Sequence, residues 1–252
     1  MRTTAILNLK GGVGKTATTV NLAAELASSR HKKKVLVIDA DSQCNLTGFF
    51  KHDRQKTNTL ADLLRKETDH AIKTVVPTDY SRIDILPADD SLMDLDLSKA
   101  EAGAVDIKCL AGASWLLSPL YDYVLIDCPP AFNAATAAAL LAADDVVIPM
   151  KLDAFSINGM SNLMRQINTM KELNPKLKVA GVLPTMFYNS PQIVEAEKML
   201  KEVLPTYHHI RRSPTVDNMT FKQEPLLKCS PASGALADYK IVACEYLERE
   251  VL

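Results

Sequence analysis

Cysteine is scarce in this chain of 252 residues, and the five present follow no pattern. Cys44, Cys109, Cys128, Cys229 and Cys244 are odd in number and contain no C-x-x-C spacing. That argues against a disulfide framework or a zinc site and suits a reducing compartment. Long apolar runs are lacking too. The Ala-rich stretch Ala134–Ala143 is too short to span a bilayer and stops at Asp144 and Asp145. Met1-Arg2-Thr3-Thr4 leads straight into a strand-like run, without the charged-then-apolar segment of a secretory signal. An excess of charge of one sign is also missing, since 29 Lys and Arg face 30 Asp and Glu for a formal net charge of −1. With no global basic field, binding to nucleic acid would need a local patch. Together these absences predict a cytoplasmic protein that does not enter a membrane.

Hydrophobic residues make up 47% of the chain and charged ones 23%, enough for one sizeable core in a length short for two domains. Apolar runs at Thr4–Asn8, Val35–Asp39, Arg82–Leu86, Tyr123–Asp127, Asp145–Met150 and Val179–Met186 read as strands buried on both faces. Helical periodicity separates them at Lys15–Ser29, Thr59–Arg65, Asn133–Ala143, Ser156–Glu172 and Pro191–Val203. Proline and glycine fall at the joints, and Asp90–Ser118 takes no firm assignment. The alternation predicts a single α/β domain over 1–252, a mostly parallel twisted sheet with helices on both faces.

The first strand runs into Lys10-Gly11-Gly12-Val13-Gly14-Lys15-Thr16, which opens a helix. Glycines let the backbone curl so that several N–H groups face one phosphate chain, and the helix N-terminus adds its positive dipole end. Lys15 is placed to reach the β- and γ-phosphates and Thr16 to ligate Mg²⁺, with Ala17 following on the same turn. A P-loop NTPase taking ATP and Mg²⁺ is the expectation. A bare glycine turn between strand and helix would not need Lys-Thr in this register.

Leu9 stands where the common phosphate loop has its first glycine, and Lys10 follows it. This KGGVGKT form resembles the deviant Walker A loop of the ParA/MinD family, and the chain is similar to its ParA/Soj-type partition ATPases. The resemblance implies a homodimer formed on ATP binding, with Lys10 reaching the partner's nucleotide. Asp39-Ala40-Asp41-Ser42-Gln43 resembles the family's D-x-D-P-Q segment, with Ser42 in place of proline. It implies that Asp41 orients the attacking water and that Asp39 lies nearer the metal. Tyr123–Asp127 followed by Cys128-Pro129-Pro130 resembles the Walker B strand, which implies that Asp127 holds a water on Mg²⁺. Pro184-Thr185-Met186 and the loop 211–218 resemble segments that fold around the base, and the closing stretch Ser230–Leu247 is similar to the family's ending.

For function the resemblance implies hydrolysis of ATP to ADP and phosphate, non-specific binding of double-stranded DNA by the ATP dimer, and release triggered by a ParB-like partner. Such a cycle partitions or positions a plasmid or chromosome, with the protein nucleoid-associated when ATP-bound. Arg211 and Arg212 fall where partition ATPases carry a basic segment, although Thr215 stands where a further arginine is common. Lys32-Lys33-Lys34 lies between a helix and a strand and reads as a solvated turn. Only three residues precede the first strand, so no N-terminal helix-turn-helix extension is expected. Three alternatives share the same engine. One is a MinD-like membrane cycle, disfavoured because Cys244–Leu252 holds three glutamates against one arginine. Another positions a protein assembly without DNA. The third is an iron-protein-like reductase, which would need Cys109 and Cys128 at a dimer seam.

Overall fold

The computed structural model describes residues 1–50, 57–66 and 71–249. Among them, strands β1 (Arg2–Ile6), β2 (Val35–Asp39), β3 (Val76–Pro77), β4 (Ile83–Leu86), β5 (Tyr123–Asp127), β6 (Asp145–Lys151) and β7 (Lys178–Thr185) form one sheet in the order β3-β4-β2-β5-β1-β6-β7. Every neighbouring pair is parallel except β3 with β4. The helices are α1 (Lys15–Ala27), α2 (Asn45–Phe49), α3 (Leu60–Leu64), α4 (Ala71–Thr74), α5 (Leu97–Glu101), α6 (Cys109–Leu117), α7 (Ala134–Ala142), α8 (Ala154–Leu173), α9 (Pro191–Val203), α10 (Pro214–Lys222), α11 (Leu226–Cys229) and α12 (Gly234–Glu248).

Successive side chains of a strand point to opposite faces, and the apolar runs exploit both. Leu36 and Ile38 of β2 join a core with Leu60, Leu110, Ala138 and Leu163, under α3, α6, α7 and α8. Val35 and Val37 join the opposite core with Val20, Leu46, Met219 and Tyr239, under α1, α2, α10 and α12. Helices therefore cover both faces, as expected of a doubly wound parallel sheet. Among the described residues no helix is long and apolar enough to cross a membrane.

Several boundaries differ from the sequence reading for physical reasons. The first strand spans Arg2–Ile6 instead of Thr4–Asn8, because Arg2 is buried and paired. Its Nε donates to Asp145 Oδ2 at 2.7 Å and its Nη1 to the Tyr246 carbonyl at 2.7 Å. Thr4 Oγ1 also donates to Asp145 Oδ1, at 2.7 Å, and lies 2.6 Å from the Tyr246 hydroxyl. Segment 90–118 breaks into a 3₁₀ turn (Asp90–Asp94), α5 and α6, the first two capped by Asp89 and Asp96; these pieces are too short to show a period. The second half of the expected loop 211–218 is the first turn of α10, with Ser213 capping and Pro214 at the first helical position. Glu250-Val251-Leu252 lies outside the described residues.

Helix α12 packs along α1, and the residue after it is tied down. Arg249 donates to the Ala180 and Thr206 carbonyls at 2.8 Å each, and its guanidinium lies 3.7 Å from the Tyr207 ring centre. A Cβ on Gly181 would fall 2.5 Å from Arg249 Nη1 and 2.8 Å from the Pro205 carbonyl, so the close approach needs glycine.

Candidate active site

Parallel order puts the carboxyl ends of β1, β2, β5, β6 and β7 along one edge, where open α/β sheets bind ligands. The loop from β1 to α1 turns through Gly12 and Gly14, whose φ values of 69° and 85° lie in the left-handed region that favours glycine. Gly14 is the N-cap of α1, with no side-chain cap of its own. Cβ atoms built on Gly11 and Gly12 would meet nothing within 4 Å. A helix N-terminus facing open space and unmasked by a side chain is an anion seat.

Lys15 stands beside it, 7% exposed, with Nζ donating to the Lys10 carbonyl at 3.1 Å. Burial pulls its pKa down, while the nearby Asp127 carboxylate pulls the other way. Thr16 Oγ1 donates to Asp127 Oδ2 at 2.6 Å, and Thr19 Oγ1 approaches Asp127 Oδ1 at 3.4 Å. Asp127 and Asp39 face each other in the register of β5 with β2. Asp39 Oδ2 accepts from the Thr47 amide and hydroxyl at 2.8 and 2.7 Å, and Oδ1 accepts from the Asp41 amide at 3.1 Å. Burial, then repulsion from Asp39, pushes Asp127 up to about 8; burial, only partly offset by the Thr47 hydrogen bonds, pushes Asp39 up to about 6. A cation seated there would reverse that balance.

The donor set of Thr16 hydroxyl and buried carboxylates suits a hard, oxygen-seeking cation such as Mg²⁺. Among the described residues no three His, Cys, Asp or Glu side chains converge on one point, so the remaining ligands would be phosphate oxygens and water. Of the expected metal residues, Thr16 and Asp127 are joined directly. Asp39 lies beside them, one oxygen held by the Asp41 amide of its own loop and the other by Thr47 of α2.

Asp41 sits beyond the end of β2 in a hydrogen-bonded turn. Its Oδ1 accepts from the Gln43 amide at 3.0 Å, and its carbonyl accepts from the Cys44 amide at 2.9 Å. These bonds order the segment that lacks a proline at Ser42. Lys10 is turned back onto its own chain. Its Nζ lies 2.9 Å from both Asp153 oxygens, and Lys151 Nζ is 3.7 Å from the same carboxylate.

Beyond the phosphate loop lies a cavity of about 350 Å³, lined by Gly14, Ala17, Thr185, Met186, Tyr188, Arg212 and Tyr239 among others. Thr185 Oγ1 donates to the Val13 carbonyl at 2.9 Å, fixing this wall to the loop. Met186 has a φ of 53°. Pro184, expected at the base, is not among the residues lining the cavity; its carbonyl accepts from the Ile210 amide at 2.8 Å.

Arg211, expected at a DNA surface, is turned to Asp238. Nε and Nη2 donate at 2.7 Å each and the Arg211 amide at 3.0 Å. Both arginines are exposed and both line the cavity, but Arg211 is the one held in an ion pair. Cys128 is fully buried, and burial pushes the Cys109 thiol up to about 12, so neither is poised as the thiolate a cluster would need. Asp153 and Asp238 escaped the sequence reading. Asp153 follows a strand's carboxyl end, a usable signal, whereas Asp238 lies mid-helix among apolar residues and gives none.

Comparison with known proteins agrees with this geometry. A family model described as an AAA domain matches residues 1–179. The chromosome partitioning protein ParA of Caulobacter vibrioides (strain NA1000 / CB15N) is 33% identical over 267 residues, covering 99% of this chain and 95% of that protein. The structure of an ATP complex of a Cyanothece McdA variant superposes with a TM-score of 0.84 at 26% identity, covering 100% of this chain and 97% of the other. Cobyrinic acid a,c-diamide synthase from Mycobacterium smegmatis, with bound ADP and magnesium, superposes with a TM-score of 0.82 at 26% identity, covering 100% and 96%.

Proposed function

This chain belongs to the ParA/Soj type of partition ATPase in the ParA/MinD family, and from that premise we propose that its ATP-bound form is a homodimer holding DNA without sequence preference. The protein is an ATP hydrolase that uses ATP and Mg²⁺. A ParB-like partner on a plasmid or chromosome would stimulate hydrolysis and so release the dimer from the nucleoid. The observation that carries the site is Thr16 joined to Asp127 beside a buried Lys15 and an open glycine turn.

Phosphoryl transfer needs positive charge on oxygens that gain negative charge, more than it needs covalent help. Gly11, Gly12, Val13 and Gly14 seat the triphosphate, Lys15 neutralises its terminal oxygens, and Ala17 opens the way to the base cavity. A bound Mg²⁺ would supply positive charge to the phosphate oxygens. Thr16 would help hold it through its hydroxyl oxygen, with Asp127 and Asp39 keeping the surroundings negative. Asp41 orients the attacking water. Lys10 leaves Asp153 and crosses to the partner's nucleotide, so that turnover waits on dimerisation. Pro184 and Met186 border the base.

Lys15→Ala and Thr16→Ala test the engine, since either should abolish nucleotide binding or Mg²⁺-dependent turnover. Wild-type affinity for labelled ATP in both would refute the assignment. Gel shifts on two unrelated duplexes, with and without ATP and at rising salt, test the DNA role. A second reading, positioning of a protein assembly without DNA, gains weight from the pairing of Arg211 with Asp238, which leaves Arg212 as the freer of the two arginines. Absence of ATP-dependent retention on either duplex would favour it. Liposome flotation of the same sample tests the membrane alternative.

A further inference from the structure

The cavity beside the phosphate loop has two walls outside any helix: 184–188, which runs on from the end of β7, and 210–213. Main-chain bonds zip them together: Ile210 amide to Pro184 carbonyl at 2.8 Å, Phe187 amide to Ile210 carbonyl at 3.0 Å, and Arg212 amide to Phe187 carbonyl at 2.8 Å. Those bonds hold the walls to each other and to the end of β7. The Arg211 fork adds a tie to α12, where Asp238 is 1% exposed and takes three donors from this one residue. Burial alone would raise the Asp238 pKa, but the Arg211 hydrogen bonds and charge more than offset it and keep the carboxylate ionised.

The fit around the fork is tight. A Cβ on Gly234 would lie 2.7 Å from Arg211 Nη1 and 2.9 Å from Cζ, so the guanidinium rests on a bare α-carbon. Arg211 itself lines the cavity between Ile210 and Arg212, and Tyr239, which follows Asp238, lines it too. Helix α12 in turn shares a core with α1, whose N-terminus follows directly on the phosphate loop. Arg211 and Asp238 therefore reference the base wall to the same helices that hold the triphosphate.

We propose that Asp238, acting through Arg211 and the bare Gly234, is a positioning residue for the nucleoside half of ATP, and that Arg211 serves this clamp instead of a DNA surface. The proposal rests on the ATPase reading above. Loosening the clamp should leave the phosphate seat intact and blur the base wall. It should raise KM for ATP and leave kcat at saturating ATP unchanged.

The test compares dissociation constants for ATP and for inorganic tripolyphosphate, both with Mg²⁺, in wild type, Asp238→Asn, Gly234→Ala and Arg211→Lys. Asp238→Asn is expected to weaken ATP roughly tenfold, about the effect of losing one charge-assisted hydrogen bond, with tripolyphosphate unchanged. Gly234→Ala, to which the half-exposed end of Arg211 can partly yield, and Arg211→Lys, which keeps the charge and loses the fork, should each fall between it and wild type. Equal weakening of both ligands would mean general loosening and would overturn the clamp, as would unchanged ATP affinity in the variants that fold. A thermal melt of each variant identifies those. If wild type itself fails to bind ATP, the ATPase reading is lost; if it binds and the variants match it, only the clamp is.

Discussion

Replacing Asp153 with alanine should strengthen the ATP-dependent dimer. Lys10 Nζ lies 2.9 Å from both Asp153 oxygens, with the two side chains 37% and 26% exposed. Pairs this open to water contribute about 0.2–1 kcal/mol, and two-oxygen geometry places this one toward the upper end. A twofold closure in which each Lys10 crosses to the partner breaks two such pairs, one per subunit, a cost of roughly 1–2 kcal/mol. Removing it should tighten dimerisation by roughly 5- to 30-fold. Sedimentation equilibrium with a non-hydrolysable ATP analogue reads this directly, and the gain should shrink as salt screens the pair. Lys10→Ala supplies the control, because Asp153→Ala added to it should change nothing further if the two act as one unit. A dimer no tighter than wild type, or an equal effect of Asp153→Ala with and without Lys10, would refute the reasoning.

Three further outcomes are expected. Asp41→Ala should keep ATP binding, slow hydrolysis and leave a persistent dimer by light scattering; a monomer in ATP would count against its role in orienting water. Gly181→Ala forces a Cβ against Arg249, Pro205 and Tyr207, which should cost about 1–3 kcal/mol and lower Tm by roughly 3–10 °C in a chain of this size; an unchanged melt would show that the contact relaxes freely. The lowered pKa of Asp238 sets a sign for acid stability. Its contribution is fully present above the ordinary carboxylate pKa of about 3.9 and is lost as pH falls through the lower folded value. Urea melts from about pH 5 to about pH 3 should therefore show wild type losing more stability than Asp238→Asn, and parallel losses would contradict the pairing.

Residues that act within one short stretch were legible. The strands Val35–Asp39 and Tyr123–Asp127 and helix Pro191–Val203 stand at the expected bounds, and the phosphate loop announces itself in seven consecutive residues. What the sequence hid depends on partners far along the chain. Arg2 reads as a polar flank until Asp145 and Tyr246, 143 and 244 positions away, bury it. Arg211 reads as a surface charge until Asp238 claims it. No periodicity marks either pairing, since a carboxylate's partner is chosen by how helices and strands pack. The pieces between 90 and 118 are hidden for a different reason, each being too short to repeat.

The order of synthesis meets a difficulty in the middle of the sheet. Strand β1 leaves the ribosome well before its neighbours β5 and β6, which begin at Tyr123 and Asp145, and the buried guanidinium of Arg2 waits for Tyr246 as well. Contacts this distant close slowly, and the unpaired central strand stays exposed to other chains until then. Nascent chains stalled before α12 should accordingly need a chaperone and fail to retain nucleotide, although they already carry every residue of the phosphate loop.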